Sequence, residues 1–222
     1  AFRTTGKWIG AGVASLSAIL DPETVVIGGG VIDAGELLLE PIREAAKRHM
    51  PFSEILPMPE NAPLISPDQL RAALSEFATG VTIVTTRGTD GSAVGLTVNS
   101  FNAVSLTPPL ILWSLDKSSR AISAFNENDC FAVHILAADQ EALAMRFASR
   151  DVDRFAGLTL AKGMGDIPLI PDTLACLQCR VHQRVEAGDH IIFIGWVTAV
   201  SRDESGTPRA ALGYHRRLFL SV

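Results

Sequence analysis

The sequence predicts a mainly β domain over its C-terminal two thirds, a small antiparallel barrel with flanking helices. Three observations carry this. About six apolar segments of strand length recur between residues 80 and 200, separated by short turns. A proline-rich stretch, PFSEILPMPENAPLI over 51–65, sets them apart from an N-terminal region of different pattern. Its Pro51, Pro57, Pro59 and Pro63 remove backbone donors and disfavour helix, so it reads as an extended linker. The 222 residues are 47% apolar and 19% charged, with mean hydropathy +0.25, which is ample for a packed core and excludes general disorder.

The elements follow in order. Residues 5–19 read as a buried helix with Trp8, Ile9, Val13 and Leu16 on its apolar positions, broken by Asp21-Pro22. Thr24–Ile27 is a short strand running into Gly28-Gly29-Gly30, and residues 35–49 form a second helix. One strand between two helices has no partner and makes an extension, not a domain. After the linker, Ser66-Pro67-Asp68-Gln69 starts a helix over 66–78, with Ser66 as cap and Gln69 completing a capping box. GVTIVTT (80–86) is a strand, and Asp90-Gly91 marks a hairpin turn into 93–98. Short strands at 103–106 and 110–115 flank Pro108-Pro109. Ser118–Asn126 reads as a short helix capped at Ser118, 130–136 as a strand, and Asp139–Phe147 as a helix capped by Asp139. Strands at 174–185 and 190–200 enclose a turn at Ala187-Gly188-Asp189.

Composition narrows function. The net charge is −5, and neither side of the linker carries the basic excess that phosphate-backbone binding needs, so no nucleic-acid partner is expected. No apolar run reaches the roughly 18–20 residues of a membrane span, and no signal-peptide pattern opens the chain. Three cysteines are too few for a disulfide framework, so the expected setting is the reducing cytoplasm. The chain starts with Ala, and is expected to be a fragment, a processed product or a fusion.

Three clusters can carry chemistry. GLTVNSFNAVSLTPP (95–109) is rich in small and hydroxyl residues, which let a planar, multi-acceptor ligand approach the main chain; it reads equally as an ordinary polar strand-turn-strand. Asp116-Lys117-Ser118-Ser119-Arg120 at a helix start combines free N–H groups, hydroxyls and cations, as a phosphate site would, or is a plain cap. Gly188-Asp189-His190 places a histidine after a tight turn, free to take either protonation state. Cys176 and Cys179 have half-zinc-site spacing, but on a strand positions three apart face opposite ways, so no metal is expected. His134 and His182, alternating with apolar neighbours, read as structural.

Together, EFATGVTIVTT (76–86), VGLTVNSFNAVSLTPPLILWSL (94–115), KSSRA (117–121), LAMRFASRDVDRFAG (143–157) and AGDHIIFIGWVTAV (187–200) resemble the flavin reductase family with the FMN-binding split-barrel fold. These are the reductase components of two-component, flavin-dependent monooxygenases. The resemblance covers 66–222 and implies a six-stranded antiparallel Greek-key barrel, a homodimer, and hydride transfer from NADH or NADPH to FMN or FAD. It implies that Thr97, Asn99 and Ser100, with Ala93, Val94, Gly95 and Leu96, hold the flavin ring. It puts Ser114, Leu115, Asp116, Arg120 and Ala121 around the phosphate, and has Arg146 and Phe147 close the site. His190, as the catalytic residue, is expected on the nicotinamide side with Tyr214 and Arg217. The family often has Ser or Gln where Asn99 stands; Asn also donates and accepts. A non-catalytic flavin- or haem-binding barrel is the alternative.

Residues 10–45, GAGVASLSAILDPETVVIGGGVIDAGELLLEPIREA, resemble the C-terminal piece of a ROK-family sugar kinase, placed over 1–50. The piece lacks that family's phosphate-binding motif and catalytic Asp, so no kinase activity is expected of it.

Overall fold

The Asp90-Gly91 signal sets the first hairpin, joining β2 (Thr82–Arg87) to β3 (Ala93–Val98). Gly91 takes φ +83°, a region L side chains avoid, while Asp90 Oδ1 accepts the Ser92 N–H at 2.9 Å. The structure is a computed structural model that describes Ile42, residues 65–204 and residues 206–222. The chain divides into two units at Leu64/Ile65. The expected extension over 1–50 (Ile42 aside) and the linker over 51–65 (Ile65 aside) lie outside the described residues.

Ser66 and Gln69 form the expected reciprocal cap on α1 (Pro67–Leu74), which ends earlier than the periodicity predicts and buries no residue. β1 (Thr79–Gly80) precedes β2. β4 (Asn102–Leu106), β5 (Pro109–Asp116), α2 (Ile122–Glu127) and β6 (Cys130–Ile135) follow β3. Then come α3 (Glu141–Ala148), β7 (Ala161–Lys162), β8 (Pro168–Leu169), β9 (Ala175–Ala187) and β10 (His190–Arg202). β11 (Leu212–His215) and β12 (Leu218–Ser221) close the chain.

The main sheet has seven antiparallel strands in the order β3-β2-β6-β9-β10-β5-β4, one more than the resemblance implies, because β4 adds an outer edge to β5. The sheet curls into a barrel: Val84 and Val98 from one end share a core with Ile111, Trp113 and Leu115 from near the other. Trp113 stacks on Phe193 at 4.8 Å and meets the edges of Phe125 and Phe131, and all four are essentially buried. The long β9–β10 hairpin turns at Gly188, φ +62°, as expected.

Two helix starts differ from the sequence reading. α2 begins at Ile122, not Ser118, because the Asp116 side chain takes the Ser118 N–H at 2.7 Å and its carbonyl takes the Ser119 N–H at 2.9 Å. Asp139 does not cap α3; it lies in a 3-10 turn and accepts Arg209 at 2.8 Å. The hairpin β11–β12, which pairs with β1, is additional; its turn uses Arg216 and Arg217 at φ +48° and +66°.

His134 on β6 is fully buried. Its Nε2 accepts the Ile170 N–H at 3.0 Å, so the proton sits on Nδ1, which donates to Ile83 O at 3.1 Å. The ring thereby ties β2, β6 and the segment after β8 together, the structural role expected of it.

Candidate functional site

β3 forms one wall of a cavity of about 680 Å3. The end of β5 and the turn after it, the C-terminal end of α3, and the loop 150–155 complete the lining. The volume falls in the range of small-molecule sites.

Local chemistry fixes each wall. Thr97 Oγ1 donates to Ala144 O at 2.6 Å and ties β3 to α3. A Cβ at Gly95 would lie 3.0 Å from Phe147 Cε1 and 3.0 Å from Phe155 Cζ, so glycine is what lets both rings close on the strand. Those rings meet edge to face at 4.9 Å. Arg154 reaches over the same glycine: Nη1 donates to Gly95 O at 2.7 Å, while Nε and Nη2 donate to Ser149 O. Its partners are carbonyls, and no carboxylate bridges it among the described residues, so its positive charge is locally uncompensated. Burial and the nearby Arg120 charge hold it below the usual guanidinium range.

At the end of β5 the Ser118 hydroxyl and N–H hold the Asp116 carboxyl below its ordinary range, with His190 and Arg150 adding positive field. Arg120 pairs with Asp151 at 2.7 Å. The helix start expected at this cluster lies further on, at Ile122. Residues 117–121 form a turn, and Asp116 takes the Ser118 and Ser119 N–H groups, while Ser118, Ser119, Arg120 and Ala121 line the cavity.

Of the expected flavin residues, Ala93, Val94, Gly95, Leu96, Thr97, Asp116, Arg120, Ala121 and Phe147 line the cavity. Asn99, Ser100, Ser114, Leu115 and Arg146 lie outside its lining. The Ser100 hydroxyl accepts the Ser114 N–H at 3.0 Å, Leu115 is buried in the barrel core, and Arg146 donates to Ala156 O at 2.8 Å. His190 sits outside the lining but opposite Asp116 in the β5–β10 ladder, with Nδ1 2.7 Å from Asp189 Oδ1. Tyr214 packs on Phe219 at 5.2 Å and Arg217 occupies the β11–β12 turn, both outside the lining. Sequence reasoning missed Arg150, Asp151, Asp153, Arg154 and Phe155 as site residues. The only signal for them was their place within 143–157, a stretch without strand or helix period in its second half. Burial pushes the Cys176 thiol up to about 11 and Cys179 up to about 12, so both stay protonated near neutral pH.

Residues 74–222 match the flavin reductase like domain family. The chain belongs to the flavin reductase family. Residues 1–58 match the ROK family. FMN reductase (NADH) SmoA of Agrobacterium fabrum is 47% identical over 134 residues, 60% of this chain and 76% of SmoA. The reductase component of the flavin-dependent trigonelline monooxygenase of Acinetobacter baylyi is 41% identical over 153 residues, 69% of this chain and 48% of that protein. The chain spans about half the length of two curated relatives, 48% of one and 49% of the other. Among solved structures, the NADH:FAD oxidoreductase SgcE6 of Streptomyces globisporus C-1027 superposes with a TM-score of 0.64 at 35% identity, covering 72% of this chain and 98% of SgcE6.

The cavity of this flavin reductase domain fits a flavin in its chemistry. Apolar strand surface and two aromatic rings suit a flat ring system, and the uncompensated Arg154, with Arg150 and the Ser119 hydroxyl, suits an anionic tail. Arg154→Ala removes the clamp between loop and strand and is expected to raise the flavin dissociation constant about tenfold, roughly 1.4 kcal/mol. Arg154→Lys should recover only part, since one ammonium cannot span two carbonyls as the fork does. Fluorescence titration checks both; an unchanged constant for the alanine variant would detach this loop from the site.

Proposed function

We propose that the chain is an NAD(P)H:flavin oxidoreductase that transfers hydride from reduced nicotinamide to FMN or FAD and hands the reduced flavin to a partner monooxygenase. The observation that carries this reading is the cavity on β3, where an uncompensated arginine meets a strand surface open to a planar ring. The bound flavin supplies the redox chemistry by accepting the hydride on its ring. The chain supplies orientation and exclusion of water: β3 backs the ring, Phe147 and Phe155 close one side, and Arg150 and Arg154 with Ser119 hold the phosphate. His190, at the rim beside Asp116, meets the nicotinamide. No acid–base pair is demanded by hydride transfer, and stacked, oriented rings are its main requirement. The monooxygenase partner is supported by the Acinetobacter baylyi relative, which is the reductase component of a flavin-dependent monooxygenase. A homodimer in the cytoplasm completes the reading; Leu106 on β4 and Trp196 on β10 are exposed apolar side chains that such pairing would cover.

The test is NADH oxidation by the purified chain with FMN or FAD added, followed by nicotinamide absorbance. Oxidation that depends on both chain and flavin is the expected result; flavin binding without oxidation would favour a non-catalytic flavin module. His190→Ala is expected to raise the KM for NADH about tenfold while the flavin dissociation constant stays put. Loss of flavin affinity alone would reverse the assignment of that histidine.

A further inference from the structure

One ion pair bridges two walls of the cavity. Arg120 belongs to the turn after β5 and Asp151 to the loop after α3; Arg120 Nη1 lies 2.7 Å from Asp151 Oδ1, and their side chains are 77% and 75% exposed. Asp151 holds this position at φ +59°, a left-handed conformation that a non-glycine residue adopts at some cost. The other acids of the lining are engaged within their own segments: Asp116 takes the Ser118 N–H at 2.7 Å and Asp153 the Phe155 N–H at 3.0 Å. Asp151 alone among these three is bonded to a cation of another wall. Arg120 holds its carboxyl below the ordinary range, with Arg150 adding to the effect, so it is ionised at neutral pH.

A carboxylate and a phosphate are alternative partners for one guanidinium, since both offer two oxygens to its fork. We propose that Asp151 is a specificity-determining competitor: its carboxylate stands in for the flavin phosphate on Arg120 and must release that arginine when a phosphorylated flavin binds. The inference rests on the flavin reading above. The exchange swaps one exposed ion pair for another, so Arg120 contributes less to affinity than its position implies. The anion is then held mainly by Arg150 and Arg154. A moderated grip on the phosphate suits a flavin that has to leave after reduction. The carboxylate returns to Arg120 as the phosphate departs.

The experiment compares FMN with riboflavin, which has the ring and no phosphate, by fluorescence titration of the full chain. The variants are Asp151→Asn, Arg120→Ala and the pair combined. Asn also tolerates the left-handed backbone, so the loop keeps its path. Asp151→Asn is expected to tighten FMN about two- to fivefold, the scale of an exposed ion pair, and to leave riboflavin unchanged. In the Arg120→Ala background the same substitution is expected to gain nothing. Three results would each overturn the proposal: FMN binding unchanged or weakened by Asp151→Asn, equal tightening of both flavins, or a gain that persists without Arg120. That last result would mean a general change of field instead of competition for one side chain. If wild-type chain binds neither flavin, the flavin reading itself falls and takes this proposal with it.

Discussion

A His134→Leu variant is expected to unfold about 5–15 °C below the parent near neutral pH and to lose the parent's acid sensitivity above about pH 5. Leucine leaves Ile83 O and the Ile170 N–H buried without the partners they have at 3.1 and 3.0 Å. Each orphaned group costs about 1–3 kcal/mol. The pH effect has the sign of a depressed base. Burial lowers the ring from 6.5 to about 4, because the charged form has no water and Nε2 is already committed as an acceptor. As pH falls below 6.5 the unfolded chain binds a proton that the folded chain refuses. The stabilisation is whole above 6.5 and is lost progressively towards pH 4, by about 3 kcal/mol in total and about 2 by pH 5. The depressed carboxylates Asp90, Asp116, Asp151 and Asp189 start from 3.8, and Glu76, held down by Arg216, starts from 4.5, so all five act mainly below the pH 5 end of the comparison. Denaturant midpoints at about pH 7.5 and pH 5 for parent and variant measure the difference. An identical slope in the two proteins would show that another group carries it.

The second large effect is expected at Gly195. Its Cα lies in β10 between Ile111 of β5 and Val181 of β9, beside a register shift. A Cβ there would collide with Phe131 Cζ and lie 3.0 Å from Cys179 Cβ and 3.1 Å from Phe131 Cε1. Phe131 cannot swing away: it is fully buried and its ring packs edge-on to Trp113 at 5.8 Å, which is itself stacked on Phe193. Gly195→Ala should therefore strain the whole aromatic cluster, at about 1–3 kcal/mol, and lower the melting temperature by several degrees. Gly80→Ala is the control, since nothing stands within 4 Å of a Cβ at that position. It should shift stability by less than about 0.5 kcal/mol. Equal effects at the two glycines would mean that strand propensity, not collision, sets the cost.

Gly95–Thr97 were legible in the small and hydroxyl residues of 95–109, whereas Ala93, Val94 and Phe147 came only with the resemblance to the family. Arg154 and Asp151 were not legible, because they lie in a loop with no period. Arg154 is fixed by a carbonyl 59 residues away, and Asp151 by an arginine 31 residues away. Ser118 was read as a helix cap on residue type alone; the Asp116 carboxylate two positions earlier took its N–H instead. Asp139 was read the same way, but Arg209, 70 residues on, holds it. The β11–β12 hairpin escaped notice because its turn places two arginines, not Gly or Asn, at positive φ. Arg216 there pairs with Glu76 at 2.5 Å across 140 residues.

By itself the sequence determined the strands of the main sheet, the first capping box, the hairpin turns at Gly91 and Gly188, and the family. Strand period, caps and glycine turns act between near neighbours and leave their mark in local spacing. The tertiary structure alone decided how the sheet closes, which loop forms the second wall of the cavity, and which arginine keeps a free charge. Those outcomes depend on distances between residues far apart in the chain, and a side chain's partner is chosen by proximity in the folded state, for which a single sequence carries no spacing rule.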